Sequence, residues 1–167
     1  FIFHGKKILF TGDLGNSPSP LLPDTEKIED IDYLIMESVY GDRNHESRNE
    51  RKKLLEQALE DNYKAKGTLI VPTFSLERSQ ELLFELNDLV EHDRIPVMQI
   101  FLDSPLAIRL TDVFKQFKDY FNVNAQKVMI NDKHLFEFPG LHTTLHSEES
   151  RQISDVPNPK VIIAGSG

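Results

Sequence analysis

The sequence predicts an α/β domain built on a doubly wound parallel sheet, preceded by a short β-rich segment. Two observations carry that. Short apolar runs alternate with amphipathic stretches from residue 42 onward, the pattern of βαβ units. The first forty residues instead read as strand, turn and a Pro-rich loop, Ser17 to Pro23, with no convincing helix. The boundary falls at 41/42.

The elements follow in order. Phe1-Ile2-Phe3 and Ile8-Leu9-Phe10 flank a turn at His4-Gly5-Lys6. Tyr33 to Met36 is a third strand. Residues 46–64 are predicted helical, with Leu54, Leu55, Ala58, Leu59 and Tyr63 on one face. Leu69-Ile70-Val71 is a buried strand ended by Pro72. Residues 77–91 form a helix with Leu82, Leu83, Leu86, Leu89 and Val90 at helical spacing. Pro96 to Leu102 is a strand. Ser104-Pro105 opens a helix, with a cap residue followed by proline at the first helical position. That helix is predicted to bury Leu106, Leu110, Val113, Phe114 and Phe117. Residues 120–146 read as short strands and turns. Ser147-Glu148-Glu149 starts a short helix, and Val161 to Ala164 is the last strand.

The chain has 167 residues, enough for one ordinary domain or slightly more. It starts at Phe1 inside an apparent strand and ends just after another, so it is expected to be a piece of something longer. No apolar run is long enough to span a membrane and no secretory leader is visible. There is no cysteine, which removes disulfides, thiolate ligands and a cysteine nucleophile. A reducing, cytoplasmic setting fits. The net charge of −8, with no strongly basic segment, argues against a nucleic-acid-binding module.

Ligands of doubly wound sheets bind beyond the carboxyl ends of the strands. Those ends here carry Thr11-Gly12-Asp13, Glu37-Ser38, Thr73-Phe74 with Arg78, Asp103-Ser104, and Gly165-Ser166-Gly167. Acids suit metals or proton transfer. Hydroxyls suit phosphate. Each has a structural reading too. Asp13 can be a turn residue. Ser104 can be an N-cap supported by Asp103, Thr73 and Ser75 can cap the 77–91 helix, and Arg78 can be an exposed first-turn residue. Glu37 is the least comfortable as filler, since a half-buried carboxylate needs a partner. His142 and His146 are four apart, but Gly140, Thr143 and Thr144 disfavour the helix that would align them on a metal. His4 and His92 read as solvated, and His45 as the start of the next helix. No phosphate-binding loop and no nucleophile elbow are present.

The ordered series is more specific than any one piece. It comprises Phe10-Thr11-Gly12-Asp13-Leu14-Gly15, then Asp32 to His45, then Gly67 to Phe74 with Glu77-Arg78-Ser79-Gln80-Glu81, then Asp103 to Ala107, then Glu148-Glu149-Ser150 and Pro159 to Gly167. It resembles the β-CASP branch of the metallo-β-lactamase superfamily, the RNA-processing metallohydrolases. The resemblance covers essentially the whole chain. It implies a parent enzyme with two zinc ions that hydrolyses phosphodiester bonds of single-stranded RNA. Asp13 would bridge both zincs, and Glu37 would orient a histidine that protonates the leaving oxygen. Residues 42–167 would form the flavodoxin-like β-CASP cap, incomplete at its C-terminal end. Residues 1–41 would belong to the first lobe of the metallo-β-lactamase domain, the remainder of which becomes a partner. Thr73, Arg78, Asp103, Ser104 and Ser166 would face the RNA cleft.

There are departures. Val39 stands where threonine is common, and Gly165 where serine is common, which removes one possible phosphate donor. The His-x-His-x-Asp-His zinc motif is not in this sequence. One aspartate cannot hold two zincs, so the chain alone is expected to retain no zinc, to cleave nothing, and to bind RNA weakly with affinity falling as salt rises. Orphaned strand edges make a homodimer possible. Two alternatives stay open: a stand-alone nucleotide- or phosphate-binding module, and a catalytically dead scaffold subunit of an RNA-processing complex.

Overall fold

A computed structural model describes residues 1–15, 17–43, 50–132 and 134–165, with Asn131 described by its backbone alone. His45 and Ser166 lie outside the described residues. Two sheets are present. The first is small: β1 (Ile2–Phe3) pairs antiparallel with β2 (Lys6–Phe10), which pairs parallel with β3 (Tyr33–Ile35). His4 and Gly5 both take positive φ, 48° and 74°, the combination that a two-residue hairpin turn needs. The start of β2 is tied down by Asp32, whose carboxylate accepts from Lys6 Nζ at 2.6 Å and Lys7 N at 2.9 Å. Lys6, then the Lys7 N–H, holds that carboxyl below its usual value. This sheet has little core of its own. Phe10, Tyr33, Leu34 and Met36 are all more than half exposed.

The second sheet runs β4 (Thr68–Thr73), β7 (Lys160–Gly165), β5 (Gln99–Asp103), β6 (Leu141–Thr143), all parallel. Taken in the order β5, β6, β7, β4, the strands occupy the 2-1-3-4 positions of a flavodoxin-like sheet, with β4 coming first in the chain instead of fourth. The carboxyl ends of β4 and β5 flank that of β7 at one edge of this sheet.

Alternate residues of each strand share a face. Leu69, Val71, Ile100, Leu102, Val161 and Ile163 point to the main core. There they meet Leu59 of α1 (Arg51–Ala65), Leu83, Leu86 and Leu89 of α2 (Arg78–Glu91), Ile108 of α3 (Pro105–Gln116) and Ala125 of α4 (Val123–Asn131). The opposite face is covered near β5 and β7 by α5 (Ser147–Gln152) and the turn after it. Lys160, buried on that face, donates from Nζ to the carbonyls of Ile153 (2.7 Å) and Val156 (2.8 Å). Toward β4 the same face is open, and Ile70 is 62% exposed. Among the described residues no helix is long and apolar enough to cross a membrane.

Three expectations need correction. Residues 120–146 contain a true helix, α4, which the weak propensities of Val123, Asn124, Val128 and Asn131 conceal. Its N-cap, Asn122, accepts from Ala125 N at 2.8 Å. Helix α3 has the predicted start, with Ser104 Oγ accepting from Ala107 N at 3.2 Å. Its buried face is Ala107, Ile108 and Thr111, whereas Leu106, Val113 and Phe117 are exposed. Small residues face inward because α2 packs close, and Gln80 Nε2 donates to Thr111 Oγ1 (3.0 Å) across the contact. On α1, Leu54 is exposed while Leu59 is fully buried.

The Pro-rich loop also does not stay on its side of the 41/42 division. Leu21 is fully buried in the core of the second sheet's domain. Asn122 fixes it there, donating from Nδ2 to the carbonyls of Ser19 (2.9 Å) and Leu22 (3.1 Å), while its own N–H donates to Leu21 O (2.7 Å). Truncation of Leu21 to alanine is expected to cost about 2–5 kcal/mol of stability, as for other buried leucines. Urea unfolding measures it, and a change below about 1 kcal/mol would show that the loop does not contribute to the core.

Candidate functional site

The predicted site residues fall into two groups. The first lies at the ends of β2 and β3. Chain direction there is set by Thr11, whose N–H donates to Ile35 O at 3.0 Å and whose hydroxyl donates to Gly12 O at 2.7 Å. Gly12 and Gly15 adopt φ of 57° and 67°, which side-chain-bearing residues adopt only with strain. The loop between them presents Asp13 to solvent. Glu37 is half-buried beside it, and its Oε1 accepts from Leu14 N at 2.7 Å. The residue after Asp13 is therefore held by Glu37. The structure brings these two carboxylates to one loop, with one exposed and the other in a positioning role.

The second group lies at the carboxyl ends of β4, β5 and β7. Its members divide by what they bond. Asp103 is committed to the fold: Oδ1 accepts from Thr144 Oγ1 at 2.6 Å and Oδ2 from Ser150 Oγ at 2.8 Å, which joins β5 to the entry and body of α5. Arg78 donates to the buried carboxylate of Glu81 at 2.8 Å. Glu81 also receives Ser19 Oγ at 2.8 Å and lies 3.6 Å from Arg51, so three other side chains converge on one acid. Ser104 is a buried N-cap, with its Oγ 3.2 Å from Ser75 Oγ. Thr73 is the least engaged, with a 3.4 Å contact to Phe74 O.

Gly165 lies against this serine pair. A Cβ on it would overlap Ser104 Oγ and come within 2.8 Å of Ser75 Oγ. The glycine at this position is thus a packing requirement of Ser75 and Ser104 as placed here. A serine would need both hydroxyls to move.

Sequence reasoning passed over Ser75 as a cap and missed Glu81, Gln80 and Phe74. For Ser79 and Gln80 a signal existed: they continue the buried stripe of Leu83 and Leu86 backwards by three and four residues. For Phe74 the signal was only its place after the strand. It is 72% exposed. Just beyond it, Glu77 takes φ 64°, ψ −58°, and Arg78 N donates to Leu76 O at 2.8 Å. That is a γ-turn of the positive-φ form, which is rare and strained.

Among the described residues the histidines join no metal-holding group. His142 stacks on Phe101 at 5.1 Å from strand β6, while His146 precedes α5, so the pair does not share a helix face. His4 and His92 are exposed, as expected. Among the described residues no group of three or more His, Asp or Glu is placed to hold a metal. Zinc takes four donors, and Asp13 offers one carboxylate. The donors described here do not make up a zinc site.

Comparison with known proteins gives a consistent picture. A family model described as the Beta-Casp domain matches residues 79–167. A ribonuclease of Thermus thermophilus is 34% identical over 163 residues, 98% of this chain and 37% of the relative. An RNase J-like protein of Methanocaldococcus jannaschii is 33% identical over 131 residues, 76% of this chain and 31% of its own. Subunit 3 of the cleavage and polyadenylation specificity factor of Dictyostelium discoideum is 31% identical over 147 residues, 83% of this chain and 19% of its own. The chain spans little more than a third of the length of these relatives, or less.

Two outcomes test the geometry. Glu77→Gly removes backbone strain of about 1–3 kcal/mol against an entropic cost of roughly 0.5–1 kcal/mol, so it should raise stability by about 1 kcal/mol. A lower urea midpoint would contradict the strained turn. Glu37→Ala removes the acceptor of Leu14 N and should accelerate amide exchange at Leu14 by about tenfold, a loss of roughly 1.5 kcal/mol for a bond to a charged group. Unchanged exchange would contradict the positioning role.

Proposed function

The chain belongs to the β-CASP family of the metallo-β-lactamase superfamily, and on that premise we propose that it is the RNA-clamping cap, with an adjoining strip of the catalytic domain, of a zinc-dependent ribonuclease. The observation that carries the reading is the Glu37–Leu14 bond, which holds the Asp13 loop in a defined place on an otherwise sparsely packed sheet. A loop that only turned the chain would not need a half-buried carboxylate to hold it. In this reading Asp13 is one ligand of a two-zinc centre whose other donors come from the rest of the metallo-β-lactamase domain. Zinc supplies the charge stabilisation and activated water of phosphodiester hydrolysis. Glu37 positions the loop beside the reacting groups, and its second oxygen, which takes no hydrogen bond among the described residues, is the one to meet the leaving-group histidine. The exposed apolar side chains of β1 to β3 are then the seam against that domain.

The cap's part is substrate positioning. Thr73 and the carboxyl ends of β5 and β7 face the RNA, with Ser166 following Gly165 in sequence. Arg78 and Asp103 act as supports, since their charged atoms already bond within the fold. The phosphate-module alternative, which leaned on the strand-end hydroxyls, loses ground because one of them, Ser104, is committed to an N-cap.

The test uses the full-length protein that carries this segment, with zinc and a labelled single-stranded RNA. Glu37→Gln should lower cleavage by about 10–100-fold, typical of groups that orient a ligand or catalytic side chain, and Asp13→Ala should lower it further. Cleavage at the wild-type rate by Asp13→Ala would overturn the reading. So would zinc-dependent cleavage by the 167-residue chain alone.

A further inference from the structure

We propose that Phe74 is a stacking platform for an unpaired nucleobase, an inference that rests on the RNA reading above and names a contact within it. Phe74 follows β4 directly, at the end of the sheet where ligands of doubly wound folds bind. Its ring is 72% exposed, yet its main chain is anchored. The Phe74 carbonyl accepts both the Ser79 N–H at 3.2 Å and the Ser79 hydroxyl at 2.7 Å, and Ser79 is fully buried. An exposed ring on a fixed backbone loses little freedom when something stacks on it.

The ring borders a cavity of about 410 Å³ lined by Pro72, Thr73, Phe74, Ala164 and Gly165. That volume suits a small planar ligand group. The cavity opens on the sheet face that α5 leaves bare, where Ile70 is also exposed. Its walls are apolar apart from the Thr73 hydroxyl, which makes only a 3.4 Å contact. No cationic side chain lines it among the described residues, and Arg78 is held by Glu81.

Charge decides what can bind there. A net charge of −8 gives an RNA backbone no long-range attraction to the chain. Stacking on an aromatic face is indifferent to that charge, and every base has a π-face to offer. The cavity therefore takes the base and leaves the phosphates in solvent. The Thr73 hydroxyl is the hydrogen-bonding side chain of the lining that is positioned to meet the base's edge.

The chain contains no tryptophan, so Phe74→Trp gives a single fluorescent reporter at the site. The 167-residue wild type, Phe74→Ala and Phe74→Trp are compared at low salt with a fluorescein-labelled single-stranded oligoribonucleotide. Phe74→Trp is also titrated with the unlabelled oligonucleotide and with an abasic ribose-phosphate oligomer. Circular dichroism and thermal melting should match across the three, because the side chain is exposed. Expected are saturable quenching of the introduced indole's emission by the oligonucleotide, none by the abasic oligomer, and binding weakened about 5- to 150-fold in Phe74→Ala. Wild-type-like binding by Phe74→Ala, or indole emission unmoved while RNA binds, overturns the stacking assignment and leaves the RNA reading standing. Equal quenching by the abasic oligomer overturns it also. No binding by the wild type at any concentration overturns the stacking assignment and the RNA-contact role of this chain together.

Discussion

Strand β7 lies between β4 and β5, and the carboxyl-end edge of the sheet depends on that placement. Strands β4 and β5 do not pair with each other. Each pairs with β7, over six and five register positions respectively. β7 must therefore satisfy a core on one face through Val161 and Ile163 and an anchor on the other through Lys160. It also delivers Gly165 to the point where Ser75 and Ser104 meet. The requirement for glycine there follows from the serines, and the serines are placed by the strand ends that β7 joins. A sheet whose middle strand comes from the far end of the sequence closes only through long-range contacts. The carboxyl ends of β4, β5 and β7 come together only once those contacts form.

The buried acid Glu81 plays a comparable role on the helical side. Arg78, Arg51 and Ser19 converge on it from α2, α1 and the Pro-rich loop. A carboxylate so little exposed is tolerable only because each oxygen is met by donors. Together with Leu21 and Asn122, this knot makes the loop at 19–22 part of the interior of the second sheet's domain. The 41/42 division read from composition marks where the secondary-structure pattern changes. The physical join between the two parts runs through the core.

What was legible in the sequence was whatever local periodicity encodes. The strands β4, β5 and β7 and the helices α2 and α3 lie within a residue or two of their expected places, except that β5 begins three residues late. The cap at Ser104 followed from the Ser-Pro pair. Helix α4 was hidden because its stability comes from burying Ala125 and from Asn122 bonding a loop a hundred residues away. The same limit applied to the site. Reading strand ends located Asp103, Ser104 and Thr73 correctly along the chain. It could not tell that Asp103 is taken up by Thr144 and Ser150, more than forty residues on. The family resemblance gave Asp13 and Glu37 separate roles and did not anticipate the Leu14–Glu37 bond; no local pattern announces a carboxylate that holds a loop 23 residues earlier.

One surface is responsible for RNA on this reading: the carboxyl ends of β4, β5 and β7, where the Thr73 hydroxyl and the exposed Phe74 ring line one cavity. Chemical-shift mapping of the 167-residue chain with a short single-stranded RNA tests this most directly. The expected result is saturable shifts concentrated at Thr73, Phe74, Ser75, Ser104 and Gly165, with the core helices unmoved. Shifts concentrated instead between α3 and β6, or along the outer half of α2, would contradict it.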